Sequence, residues 1–152
     1  MAWNWVEYVH VAGSWVPSTF TTPRDQALVR SIVSRAYYAA FNPAKAYALQ
    51  KGWIHPGRKK IAHGDVWTSF QYRDRTQAER DIGDTGQALM DDRQEADYEI
   101  SFGCAKKVCD DAIRRANEIL TWLKAPPAQP PKPPPPPTPP GGTGVPRTPK
   151  GY

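Results

Sequence analysis

Thirteen of the chain's 17 prolines fall between residues 124 and 152. A proline ring fixes the backbone, removes an N–H donor and clashes with the preceding helical turn, so regular structure has little room where prolines crowd. Residues 124–152 contain the run KPPPPPTPPGG and, besides Pro and Gly, mostly Thr and scattered basic residues. Such a segment cannot bury enough apolar surface to fold; five consecutive prolines favour an extended polyproline helix, followed by flexible Gly-rich chain. We therefore expect a disordered proline-rich tail at 124–152 and one folded domain at 1–123, within the usual size of a single core. A solubilising spacer is the simple reading of the tail, and docking to an aromatic-lined groove is the functional one.

The periodicity of the body is helical throughout. In AKKVCDDAIRRANEILTWLK, Val108, Cys109, Ala112, Ala116, Ile119, Leu120 and Leu123 form a continuous apolar stripe that Pro126 and Pro127 end. Earlier, Thr22 suits an N-cap with Pro23 at the first helical position, and Leu28, Ile32, Ala36, Ala39 and Ala40 recur at three- and four-residue intervals towards a stop at Gly52. Pro43 lies inside that pattern, where it costs roughly 3 kcal/mol, and predicts a kink or two helices in series. Short helices are predicted around Trp5, Val6 and Val9, and around His63, Val66, Trp67 and Phe70. A longer one spans about 77–98, weakened by Gly83 and Gly86, where a break would fall. No segment alternates with period two. The expected fold is all-α, an up-and-down bundle of four to five helices.

Charge argues against a large duplex-binding face. The net charge is +5, but Lys124, Lys132, Arg147 and Lys150 contribute four of the basic residues with no acid, which leaves +1 for the body. The basic runs RKK at 58–60 and Arg114/Arg115 are as readily solvated surface as phosphate contacts. Cys104 and Cys109 have no second pair to complete a metal site, so they read as two free thiols, with no metal and no cofactor indicated. Neither a basic-then-apolar leader nor a run of about 18 apolar residues occurs, which predicts a cytoplasmic protein with no membrane association.

A few polar residues interrupt the apolar faces: Arg35, Tyr37 or Tyr38, His63, Arg93, Asp97 and Tyr98. Spacing puts Asp97 one turn beyond Arg93, so the acid can hold the guanidinium in a fixed pose, a clasp that needs no ligand. The chemical alternative is metal-free cleavage of RNA. That reaction needs a group to move a proton near the attacking or leaving oxygen, and a cation to stabilise charge growing on the phosphate. Arginine suits the second task and His63, opening a helix, suits the first. The spacing RKKIAH at 58–63 also sets an arginine before this histidine, but so short a pattern arises by chance.

The segments RSIVSRAYYAAFNPAKAYAL (30–49), AHGDVWTSF (62–70), LMDDRQEADY (89–98) and AKKVCDDAIRRANEIL (105–120) together resemble a HEPN domain, named for nucleotide binding in higher eukaryotes and prokaryotes. The similarity is to the bacterial and archaeal branch with SRAYYAAF and RxxADY signatures, over about residues 3–123. It implies an all-helical bundle and a homodimer packed across a two-fold axis. It also implies a toxin or defence context, with a nucleotidyltransferase-like protein partner and an RNA or nucleotide ligand.

Active HEPN ribonucleases place a histidine four to six residues after an arginine, and two copies meet in a dimer cleft. Arg93 corresponds to that arginine, but Tyr98 follows where a histidine would stand. Asn42 likewise replaces a histidine that often follows SRAYYAAF, whereas His63 matches one that often opens the helix after the loop. The resemblance thus marks Arg93, His63 and Tyr98 as candidate catalytic residues, and Arg35, Asp97, Tyr38 and Asn42 as candidate substrate contacts. Three functions stay open: binding of RNA, a nucleotide or a partner protein without cleavage; a metal-independent endoribonuclease using Arg93 and His63; and a purely structural bundle.

Overall fold

The computed structural model describes residues 4–16, 22–58, 60–98 and 105–124. They form five helices and no strand: α1 (Trp5–Ser14), α2 (Pro23–Gln50), α3 (His63–Phe70), α4 (Gln77–Tyr98) and α5 (Ala105–Lys124). Residues 125–152 of the proline-rich tail and Cys104 lie outside the described residues, whereas Lys124 is the last residue of α5. Each helix packs against the next in sequence, and α2 touches all four others. The architecture is therefore the all-helical bundle that the periodicity predicts, with α2 as its central rod.

Local chemistry sets the helix ends. Thr22 caps α2 as expected: its backbone N–H donates to Asp25 Oδ2 at 2.8 Å, and Asp25 N–H donates back to Thr22 Oγ1 at 3.3 Å. The reciprocal pair satisfies two backbone donors that a helix start otherwise leaves open. At the other end Gly52 takes φ +70°, the left-handed conformation that stops a helix at little cost to a residue without Cβ.

At the two places where the sequence could interrupt a helix, Pro43 and the α4 glycines, the helices continue. Helix α2 is a single element of 28 residues running through Pro43, not two helices in series. Phe41, Ala44 and Ala48, on either side of the proline, are buried, and their packing outweighs one lost hydrogen bond. Helix α4 is also unbroken at its glycines. Both are buried beneath α3, and a Cβ on Gly86 would stand 2.1 Å from Trp67 Cε3, while one on Gly83 would stand 2.9 Å from Phe70 Cβ. The glycines are recesses into which α3 sinks.

The core joins every helix. Val9 and Ala12 of α1, Ile32, Ala36, Ala39 and Ala40 of α2, and Trp67 and Phe70 of α3 are buried together with Leu89 of α4 and Ile119 of α5. Fully burying one large apolar side chain contributes roughly 1.5–3 kcal/mol. The small residues of α2 let its neighbours approach closely, which leaves the larger rings to fill the space beside α3 and α5. Tyr47 stacks on Phe70 with centroids 5.8 Å apart, and Trp122 meets Tyr47 edge-on at 5.3 Å. No helix among the described residues is long and apolar enough to cross a membrane.

Candidate functional site

The recesses in α4 fix where α3 begins, and so where His63 sits. The imidazole lies against Phe41 with centroids 4.3 Å apart, and against Tyr37 at 5.5 Å. Its Nδ1 shares a hydrogen bond of 2.9 Å with the Tyr37 hydroxyl. Two stacked rings, the Tyr38 ring edge-on at 5.7 Å and one hydrogen bond hold the imidazole, and its Nε2 makes no hydrogen bond among the described residues. His63 packs on Tyr37 and Phe41 of the central helix, with no ring contact to Trp67 among the described residues.

From α4, the Arg93 guanidinium carbon stands 5.6 Å from the Tyr38 ring centroid and 5.9 Å from that of Tyr37, within cation–π range. Arg93 Nε is 2.8 Å from Asp97 Oδ2, the pairing expected from their spacing. The contact is an ion pair rather than an aligned hydrogen bond, because the Nε–H has no properly directed acceptor among the described residues. The clasp holds the guanidinium without fully saturating it.

The electrostatics follow from this crowding. Burial, then the positive charges of Arg93 and Lys45, hold His63 below its ordinary pKa of 6.5, so the ring is neutral at neutral pH. Burial pushes the Tyr37 hydroxyl up to about 12, reinforced by Tyr38 and opposed by the Trp67 indole N–H and Arg93. That indole N–H has no aligned acceptor among the described residues, so it acts on Tyr37 through its dipole rather than a well-formed hydrogen bond. Lys45 was not among the sequence candidates. Tyr37, Phe41 and Lys45 lie at four-residue intervals on α2, and that row was the available signal.

Other candidates are placed differently. Tyr98 has 77% of its surface exposed and makes no hydrogen bond or ring contact among the described residues. Asn42 donates from Nδ2 to the Tyr38 carbonyl at 2.9 Å, which turns its amide onto its own helix. Arg35 lies in an adjoining cleft, its guanidinium carbon 4.7 Å from the Trp15 ring centroid and 5.2 Å from that of Tyr8. Tyr38 and Asp97 line that cleft as well, so they form the wall between Arg35 and the His63–Arg93 cluster.

Three arginines of the basic runs have acidic partners within the fold. Arg58 pairs with Asp65 at 2.7 Å, Arg115 with Asp92, and Arg114 with Asp111 and Glu118, each at 3.6 Å. Cys109 is buried, and burial pushes its thiol pKa up to about 11. It is a packing residue rather than a nucleophile. Among the described residues no three His, Cys, Asp or Glu side chains converge as metal ligands would.

A helical bundle with an arginine and a neutral histidine over tyrosine rings on its central helix defines a small all-α domain with a basic, aromatic cluster. The HEPN domain family model matches residues 25–125, and the chain belongs to that family. Membership supports a nucleotide- or RNA-related function. No match was found among curated proteins or among solved structures. Helix α1 precedes the matched span.

Proposed function

We propose that this HEPN-domain protein binds RNA or a nucleotide at the Tyr38–His63–Arg93 cluster without cleaving it. The observation that carries the reading is the guanidinium of Arg93 set over Tyr37 and Tyr38 beside a neutral imidazole. Such a group offers a cation for a phosphate, a polar ring edge for a base or hydroxyl, and an aromatic face for stacking. Lys45, whose charge reaches His63, adds to the attraction for an anion.

Binding is favoured over cleavage because the cluster supplies one imidazole only. In-line cleavage needs one group to take a proton from the attacking hydroxyl and another to give one to the leaving oxygen. Tyr98, at the position where active relatives offer histidine, is turned to solvent. A second reading rests on His63 itself: its lowered pKa beside Arg93 suits a general base, and a homodimer would supply the second imidazole from the other copy. The toxin or defence setting, the nucleotidyltransferase-like partner and the domain division at residue 123 belong to this proposal as expectations of the family resemblance.

Labelled tRNA and mRNA incubated with the full chain test both readings. The binding reading expects a retained, intact RNA with His63→Ala and Arg93→Ala each weakening retention at least tenfold, about 1.4 kcal/mol. Cleavage by the wild type that His63→Ala abolishes would replace it with the nuclease. Unchanged retention in both variants, with their folding confirmed by circular dichroism, would refute a ligand role for the cluster.

A further inference from the structure

On the other side of the Tyr38–Asp97 wall is a cleft of about 380 Å³ between α1, α2 and α4. Its floor is a face of α2 that carries Arg30, Ser34 and Arg35, and its flanks are Tyr8 and Tyr38. Among the described residues, neither arginine makes an ion pair. That contrasts with Arg58, Arg114 and Arg115, which all have acidic partners. Arg35 instead stacks on Trp15 and Tyr8, contacts that orient a guanidinium without consuming its N–H donors. The acid in the wall, Asp97, is already answered by Arg93 at 2.8 Å.

The hydroxyls divide in the same way. Ser31, also in the lining, donates to the Ala27 carbonyl at 3.0 Å, whereas Ser34 makes no hydrogen bond among the described residues. The cleft therefore offers two uncompensated guanidinium groups, one free hydroxyl and two tyrosines. Paired N–H donors match the oxygens of a phosphate, and the tyrosine rings match the base or sugar attached to it.

We infer that this α1–α2 cleft is a second binding site, for the phosphate of a nucleotide unit, with Arg30 and Arg35 as its anion ligands and Tyr8 and Tyr38 as its aromatic sides. It shares a ligand class with the reading above but rests on different residues. Tyr8 and Trp15 precede the matched family span, so α1 supplies this chain with a wall that the family match does not account for. The shared wall also lets one RNA strand pass from this cleft to the His63–Arg93 cluster, with its terminal phosphate between the two arginines.

The test is binding of inorganic phosphate, AMP, and one short oligoribonucleotide carrying either a 5′-phosphate or a 5′-hydroxyl to the full chain. Intrinsic tryptophan fluorescence, to which Trp15 on Arg35 contributes, and calorimetry are the readouts. The inference expects AMP or the 5′-phosphorylated strand to bind at least tenfold more tightly than the 5′-hydroxyl strand. Arg30→Gln and Arg35→Gln should erase that preference, while His63→Ala retains it. Preference for AMP would assign the cleft to a free nucleotide, and preference for the phosphorylated strand to an RNA end. Arg30 stacks on no aromatic ring among the described residues, so Arg30→Gln tests the cleft without loosening α1. Binding of AMP and of the 5′-phosphorylated strand that is no tighter than that of the 5′-hydroxyl strand, or a preference that survives Arg30→Gln, would overturn the inference. Loss of the preference in His63→Ala alone would place the phosphate in the neighbouring cluster instead.

Discussion

The two halves of α2 are held by different physics. Beyond residue 36 the helix is locked by rings: Tyr37 and Phe41 against His63, and Tyr47 against Phe70 and Trp122. Before that residue Val29, Ile32 and Val33 are buried, and Arg35 stacks on Tyr8 and Trp15 at the edge of an open cleft. One half gains stability and precise placement from close packing, and the other keeps charged donors free. The contrast shows how one helix can both position a histidine and leave a second polar face available.

The packed half is the more sensitive. Trp67 is fully buried and lies directly over Gly86. We predict that Trp67→Ala lowers stability by about 3–5 kcal/mol, since the ring's contacts are lost and a cavity remains. Gly86→Ala approaches the same seam from the opposite side. Its new Cβ would overlap a ring that has no free space to move into, for a cost of about 1–3 kcal/mol. Urea unfolding measures both. A Gly86→Ala chain as stable as wild type, or more so as helix propensity alone would have it, would mean that α3 does not sit in this recess.

That glycine also shows why part of the fold was hidden in the sequence. The extents of α2 and α5 were legible because caps, prolines and apolar stripes act within a few residues. Gly83 and Gly86 read as helix weakeners, since their purpose lies in a different helix. Pro43 likewise carried a local penalty that distant packing overrode.

The candidate site divides along the same line. Arg93 and Asp97 were readable as a pair one turn apart, and His63 as a helix-opening imidazole, but only the recess in α4 brings them together. Successive helical residues turn by about 100°, so the rotation that pairs Asp97 with Arg93 carries Tyr98 outward to solvent. Spacing alone listed Tyr98 beside Asp97 without revealing that separation.

The open half of α2 should respond more mildly. Arg35→Gln removes the stack on Tyr8 and Trp15, and at a partly exposed site this costs about 0.5–1 kcal/mol. Arg35→Lys keeps the charge but loses the planar guanidinium, so it should recover only part of that stability. A loss matching that of Trp67→Ala would erase the distinction between the halves and make Arg35 a core residue. Thermal melting of these variants beside Trp67→Ala decides the ranking.

The smallest effect is expected in the pH dependence contributed by His63. Its folded pKa lies below the ordinary 6.5, because burial and the charges of Arg93 and Lys45 disfavour the imidazolium. As pH falls through 6.5 the unfolded chain takes up this proton before the folded one, so protonation favours unfolding. The contribution to stability is therefore highest above that value, declines through the window below it, and levels off once the folded ring also protonates. His63→Gln has no such proton, and its melting temperature should fall less than that of wild type between about pH 8 and about pH 5. Arg93→Ala, by removing a cation beside the ring, should reduce the same slope while retaining the histidine. Equal slopes in wild type and His63→Gln would show that the imidazole does not feel the packed half of α2.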